Sequence, residues 1–244
     1  RLDCALPAPR QSAEGMTGYR VTISGLKGGH SGMNINEGRG NANCLMGRTL
    51  YSAMELCPSL RVSDLTGGQF DNVICLRNDA LAAVSEADAP KFEEFIREFD
   101  ATLKNEYAVT DGGISLTCEK AEVKSAASEA DTARILHVLL ALPQGVQEMS
   151  ADFPGLVQTS LNLGVMRMDD QALRFSYSVR SSIASQKEML IQRVKSIVEY
   201  AGGTVSVRSS YPGWQYDRSS ALRKDVEAVY RDITGHEGKI EAIH

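Results

Sequence analysis

Apolar residues recur along this chain at two alternating spacings. Tyr19 to Ser24 reads as a strand, with Tyr19, Val21 and Ile23 at every second position. From about Asn41 to Leu56 the spacing becomes helical, through Leu45, Met46, Leu50, Ala53 and Met54, and Pro58 ends the run. Leu60 to Leu65 reads as a strand closing at Gly67-Gly68. Val73–Leu76 and Ala80–Ser85 read as further strand, broken by a turn at Asn78-Asp79. Asp88 and Pro90 open a helix whose stripe is Phe92, Phe95, Ile96, Phe99 and Leu103. A strand over Ile114–Cys118 follows Gly112-Gly113. The order β-α-β-β-α-β is that of a ferredoxin-like unit.

A second, similar set follows. Ser128 and Asp131 open a helix over about 129–142, and strands near 157–167 and 172–180 flank a turn at Asp169-Asp170. Ser185 and Glu188 form a capping box for a helix with an inward stripe of Leu190, Val194, Ile197, Val198 and Ala201. Gly202-Gly203 ends it, and Thr204–Arg208 is a strand. A last helix, about 220–234, turns Leu222, Val226, Val229, Tyr230 and Ile233 inward, and Lys239–Ile243 resembles a short strand. The pattern predicts an α+β fold, a doubled ferredoxin-like two-layer sandwich with an antiparallel sheet and helices on one face. Residues 1–17, with Pro7, Pro9 and Gly15, read as an irregular lead-in. The chain starts at Arg1 rather than Met and stops at His244 without a cap, which reads as a segment of a longer protein.

Composition narrows the function classes. A hydrophobic content of 43% supplies a core, and a net charge of −5 without a basic block argues against nucleic acid and anionic membranes as partners. No apolar run approaches the length of a membrane span. Five scattered cysteines, with no Cys-x-x-Cys, read as reduced cytoplasmic thiols, with Cys44 and Cys57 as core fillers. Among the histidines, His30 stands out: it sits within Gly25-Leu26-Lys27-Gly28-Gly29-His30-Ser31-Gly32, a loop whose glycines let the backbone approach a ligand closely. His137 lies in an apolar helix and reads as structural, and His236 lies in a glycine-rich turn. Glu93-Glu94 reads as solvated helix surface.

Five segments, in order, resemble the aminoacyl-histidine dipeptidases, the carnosinase-like branch of the zinc metallopeptidases. They are the His30 loop with Gly40-Asn41-Ala42-Asn43, then Gly67-Gly68-Gln69-Phe70-Asp71-Asn72, then Phe153 to Gly164, then Ser178-Val179-Arg180-Ser181-Ser182, and Tyr211-Pro212-Gly213-Trp214. The resemblance implies a catalytic domain with two metal ions and an inserted lid. Residues of about 18–210 would be the lid and dimerisation domain, in halves of about 18–122 and 123–210. Residues 1–17 and 211–244 would belong to the catalytic domain. The family's metal ligands, an H-x-D motif, a bridging Asp and a Glu-Glu pair, would precede Arg1, and one histidine would follow His244. The cofactor would be zinc, with cobalt or manganese as substitutes, and none of its ligands would come from this chain.

The same resemblance assigns three residues. His30 would reach the active site of the opposite subunit in a homodimer and donate to the oxyanion that forms when a metal-activated water attacks a dipeptide. Asn72 would bind the substrate backbone, although Val73-Ile74-Cys75 replaces the usual continuation Ala-Ile-Pro. Arg180 would grip the dipeptide's terminal carboxylate bidentately. Two readings remain beside a lid for Xaa-His or broader dipeptides. One is a non-catalytic dimerisation or small-anion-binding module. The other is a related peptidase or deacylase of the same superfamily.

Overall fold

The computed structural model describes residues 1–213, 216–217 and 219–238; Trp214, the expected strand at Lys239–Ile243 and His244 lie outside the described residues. Its first half is β3 (Thr17–Ser24), α1 (Ala42–Leu56), β5 (Arg61–Gly67), β7 (Asn78–Val84), α2 (Ala89–Glu106) and β8 (Ser115–Lys120). These strands lie in the order β5-β7-β3-β8, all antiparallel. That is the ferredoxin-like order 2-3-1-4.

The second half repeats this order with one strand from a distant place. Its elements are α3 (Glu129–Ala141), β11 (Val157–Met168), β12 (Ala172–Ser181), α4 (Ala184–Tyr200) and β13 (Thr204–Val207). Its central strand is β1 (Leu2–Pro7), which lies antiparallel between β12 and β13. Residues 2–7 are thus not irregular. Leu2, Cys4 and Leu6 alternate as buried positions, each at most 3% exposed. Pro7, which argued against a strand, sits at its last position, where a missing N–H costs least. The first half is inserted between β1 and α3. The two halves join where β11 meets β5 through Met166↔Gly67 and Arg167↔Thr66, giving one continuous sheet.

Helices α1, α2, α3 and α4 cover one face of this sheet, α1 lying between α2 and α3, with α4 beside α3. One core cluster runs through both halves, from Tyr19, Val21 and Ile23 to Phe175 and Tyr177. Short pairs decorate the rest: β2 (Gln11–Ser12) with β9 (Ser125–Ala126), β4 (Gly29–His30) with β6 (Val73–Ile74), and β10 (Gly145–Met149) along β11.

Local chemistry explains several departures from the sequence pattern. Asn78-Asp79 is no turn: it opens β7, and Asn78 is fully buried. Asp88 flanks α2 without capping it, because its carboxylate takes the Ser59 hydroxyl instead. The Ser185–Glu188 box does not form, since α4 already starts at Ala184 after Ile183, whose N–H is taken by Ser181 Oγ at 3.0 Å. Helix α5 (Ala221–Thr234) is capped by Ser220, but none of its residues is buried. Leu222, Val226, Val229, Tyr230 and Ile233 face outward. His137 is exposed, its ring edge-on to Tyr51. Ser128 does cap α3, accepting from the Asp131 N–H at 3.0 Å. Cys44 and Cys57 pack in the core, and burial pushes the Cys44 thiol up to about 12.

A strand at residues 2–7 carries a stability consequence. Leu6→Ala should lower unfolding free energy by about 2–5 kcal/mol, as for a fully buried leucine, in a urea titration. A loss under about 0.5 kcal/mol, the surface value, would contradict the pairing of β1.

Candidate functional site

The His30 loop is shaped by its glycines and closed by one acid. Gly28 and Gly29 have φ of +62° and +139°, in the region that side-chain-bearing residues avoid. A Cβ on Gly29 would sit 2.6 Å from the Arg39 guanidinium. Fully buried Asp111 then accepts the N–H of Lys27 and that of Gly40, each at 2.8 Å, tying both ends of the loop together.

Within this loop the His30 ring has a defined direction. Its Nδ1 accepts the N–H groups of Gly32 at 3.2 Å and Met33 at 3.3 Å. An acceptor Nδ1 requires the proton of the neutral ring to be on Nε2. The half-buried ring thus presents Nε2–H as a donor, with no partner for it among the described residues. The backbone of His30 is held as well: Asn34 Oδ1 accepts its N–H, and its carbonyl accepts the Asn34 N–H, both at 2.9 Å.

Asn72 lies on the neighbouring segment. It is exposed, immediately before β6, and its carbonyl accepts the Ser31 N–H at 2.9 Å. His30 pairs with Val73. Arg180 comes from the other half, on β12 opposite Ser160. Its Nε is buried and finds no hydrogen-bond partner. An unpaired buried guanidinium nitrogen is costly unless an anion arrives to satisfy it.

Asn72 and Arg180 line one cavity of about 650 Å³, together with Asp71, Phe153, Lys187 and Tyr216. His30 is not among its lining residues. The fold therefore gathers two of the three expected residues and leaves the third beside them. Lys187 went unnoticed in the sequence pattern; its Nζ donates to the Tyr211 carbonyl at 2.6 Å and so ties segment 211–213 to α4. The available signal was Ser181-Ser182 running into a helical stripe, because α4 begins without a side-chain cap and its first turn opens on the cavity. Among the described residues no three His, Cys, Asp or Glu side chains converge to hold a metal ion, and no helix is long and apolar enough to cross a membrane.

Known proteins resemble this chain in sequence and fold. Residues 15–111 match the family model of a peptidase dimerisation domain. Over 231 residues the chain is 32% identical to the cytosol non-specific dipeptidase of Escherichia coli (strain K12), an alignment covering 94% of this chain and 47% of that protein. Its fold matches the crystal structure of aminoacylhistidine dipeptidase from Vibrio alginolyticus with a TM-score of 0.90 and 32% identity, over 100% of this chain and 50% of that one. The chain carries the peptidase dimerisation domain of a dipeptidase family. It spans about half the length of these relatives. Within this dipeptidase family segment, His30 and Asn72 fall inside the matched dimerisation domain, and Arg180 falls in the second half outside it.

The tautomer of His30 is directly measurable. At a pH where the ring is neutral, ¹⁵N spectra should show Nδ1 unprotonated and Nε2 protonated. The reverse assignment would remove the donor that the ring presents.

Proposed function

We propose that this chain is the lid and dimerisation part of a metal-dependent dipeptidase, acting in the cytoplasm on Xaa-His or broader dipeptides. One observation carries the proposal: the Arg180 Nε, buried and unpartnered, in a cavity it shares with Asn72. A dipeptide offers a free carboxylate one residue beyond the scissile bond. The guanidinium fork matches that carboxylate. The Asn72 carboxamide, with both donor and acceptor, suits the substrate's backbone. The metal ions, zinc or in its place cobalt or manganese, do not fit any cluster among the described residues. No step through them is assigned to this chain.

His30 completes the assignment. Hydrolysis places negative charge on the carbonyl oxygen, and an N–H donor aimed there stabilises the transition state more than the ground state. The Nε2–H of His30 has the required polarity. Because His30 lies outside its own cavity but within the dimerisation-domain match, its target is the site of a second copy. The outward apolar stripe of α5 supports a further contact, since a stripe of five large apolar residues exposed at 47% or more suits a packed neighbour. We assign that neighbour to the part of the family fold beyond this chain, and take residues 2–7 into the lid because β1 completes its sheet.

In the intact enzyme, Arg180→Ala should raise KM for a dipeptide by about tenfold or more with little change in kcat. The same enzyme should discriminate against the C-terminally amidated dipeptide. Equal KM for both substrates would refute carboxylate capture. His30→Ala should lower kcat by about a hundredfold or more at unchanged metal content. Mixing and re-associating these two variants should then restore about one quarter of the wild-type kcat/KM, more than either variant retains alone, because half the dimers are mixed and each carries one complete site. No recovery would place His30 in its own subunit's site.

A further inference from the structure

We propose that Asn162 is the positioning residue that aims Asn72, and through it the His30 strand, at the substrate; this rests on the assignment of Asn72 and His30 above. Asn162 lies in β11 within the apolar run Leu161-Asn162-Leu163-Gly164 and is 1% exposed. A carboxamide there must have its hydrogen bonds supplied by protein. Its Nδ2 donates to the Asp71 carbonyl at 3.0 Å and to the Val73 carbonyl at 2.9 Å. These are the carbonyls on either side of Asn72. One amide group of the second half thus holds the carbonyls of both residues that flank the proposed binding residue of the first half.

The clamp is itself braced. Asn162 Oδ1 accepts from Asn41 Nδ2 at 3.1 Å and from Gln144 Nε2 at 3.2 Å, which fixes the amide's orientation and leaves its two N–H groups to face the loop. Asn41 is held in turn as the N-cap of α1, accepting from the Asn43 and Cys44 N–H groups. The loop lies directly on β11: a Cβ at Gly164 would sit 2.5 Å from the Asp71 Cα. From Asn72 the constraint passes to His30, because the Asn72 carbonyl holds the Ser31 N–H and Val73 pairs with His30. Asn162 is not itself among the residues lining the cavity and makes no contact with the side chain of Asn72.

The informative variant is Asn162→Asp. The carboxylate keeps an acceptor for Asn41 and Gln144 but sets oxygen against the Asp71 and Val73 carbonyls. Thr132→Val serves as a control for general destabilisation, since it removes another buried bond, to the Val62 N–H, away from the loop. In the intact protein, amide exchange at Ser31 and in the β4–β6 pair should accelerate at least tenfold in Asn162→Asp and not in Thr132→Val. Dipeptide KM should rise to the level of Asn72→Ala, and the double variant Asn72→Ala/Asn162→Asp should be no worse than Asn72→Ala alone. Unchanged exchange, equal acceleration in the control, or additive KM effects would overturn the clamp. An Asn72→Ala variant with wild-type KM would instead overturn the role proposed for Asn72, and the exchange comparison would then decide the clamp by itself.

Discussion

A buried network of side-chain amides at the junction of the two halves governs this structure. Asn43, Asn78 and Asn162 are each at most 1% exposed, and each must find partners within the protein. Asn78 Nδ2 donates to Asn43 Oδ1 at 2.8 Å, and Asn41 and Asn43 both donate to the Leu163 carbonyl. Helix α1, strand β7 and strand β11 are therefore tied in one mutual position by these bonds, with Asn78 Oδ1 left without a partner. Loss of any one partner would strand a polar atom in a low-dielectric interior, where the penalty exceeds the worth of the bond itself. Close backbone approach reinforces this: a Cβ at Gly68 would lie 1.8 Å from the Gly164 carbonyl oxygen, so the strands meet with no room for a side chain.

The junction matters because the candidate site straddles it. Arg180 stands on a strand of the second half, and Asn72 on a loop of the first. Had the halves been joined by a flexible linker, their separation would vary by far more than the few tenths of an ångström that ligand binding tolerates. Insertion of the first half between β1 and α3 adds to the rigidity. The second half cannot complete its sheet until the chain on both sides of the insertion has come together.

The charge pattern of the cavity follows the same logic. The other basic groups near it have partners: Arg1 pairs with Asp3 at 2.7 Å, and Lys187 donates to a backbone carbonyl. The Arg180 Nε does not. A buried binding group without a partner breaks no internal bond when its ligand arrives.

Much of this was legible in the sequence by itself. The apolar periods located α1, α2, α3, β11 and β12 to within a few residues, because each of these elements buries one face and its neighbours in the chain suffice to define it. The family motifs singled out His30, Asn72 and Arg180. The tertiary structure alone decided the rest. Leu2–Pro7 is a strand only because β12 and β13 flank it on both sides, and a run of six residues with a proline carries no such information. Asn78 begins a strand rather than a turn because Asn43 receives its amide. The α5 stripe points outward although its period is that of a buried face, since periodicity reports amphipathicity and not what covers it. Which residues share a cavity, and that Asn162 lies against the loop of Asn72, depends on contacts about ninety residues apart, here 162 with 71 and 73, which no local pattern encodes.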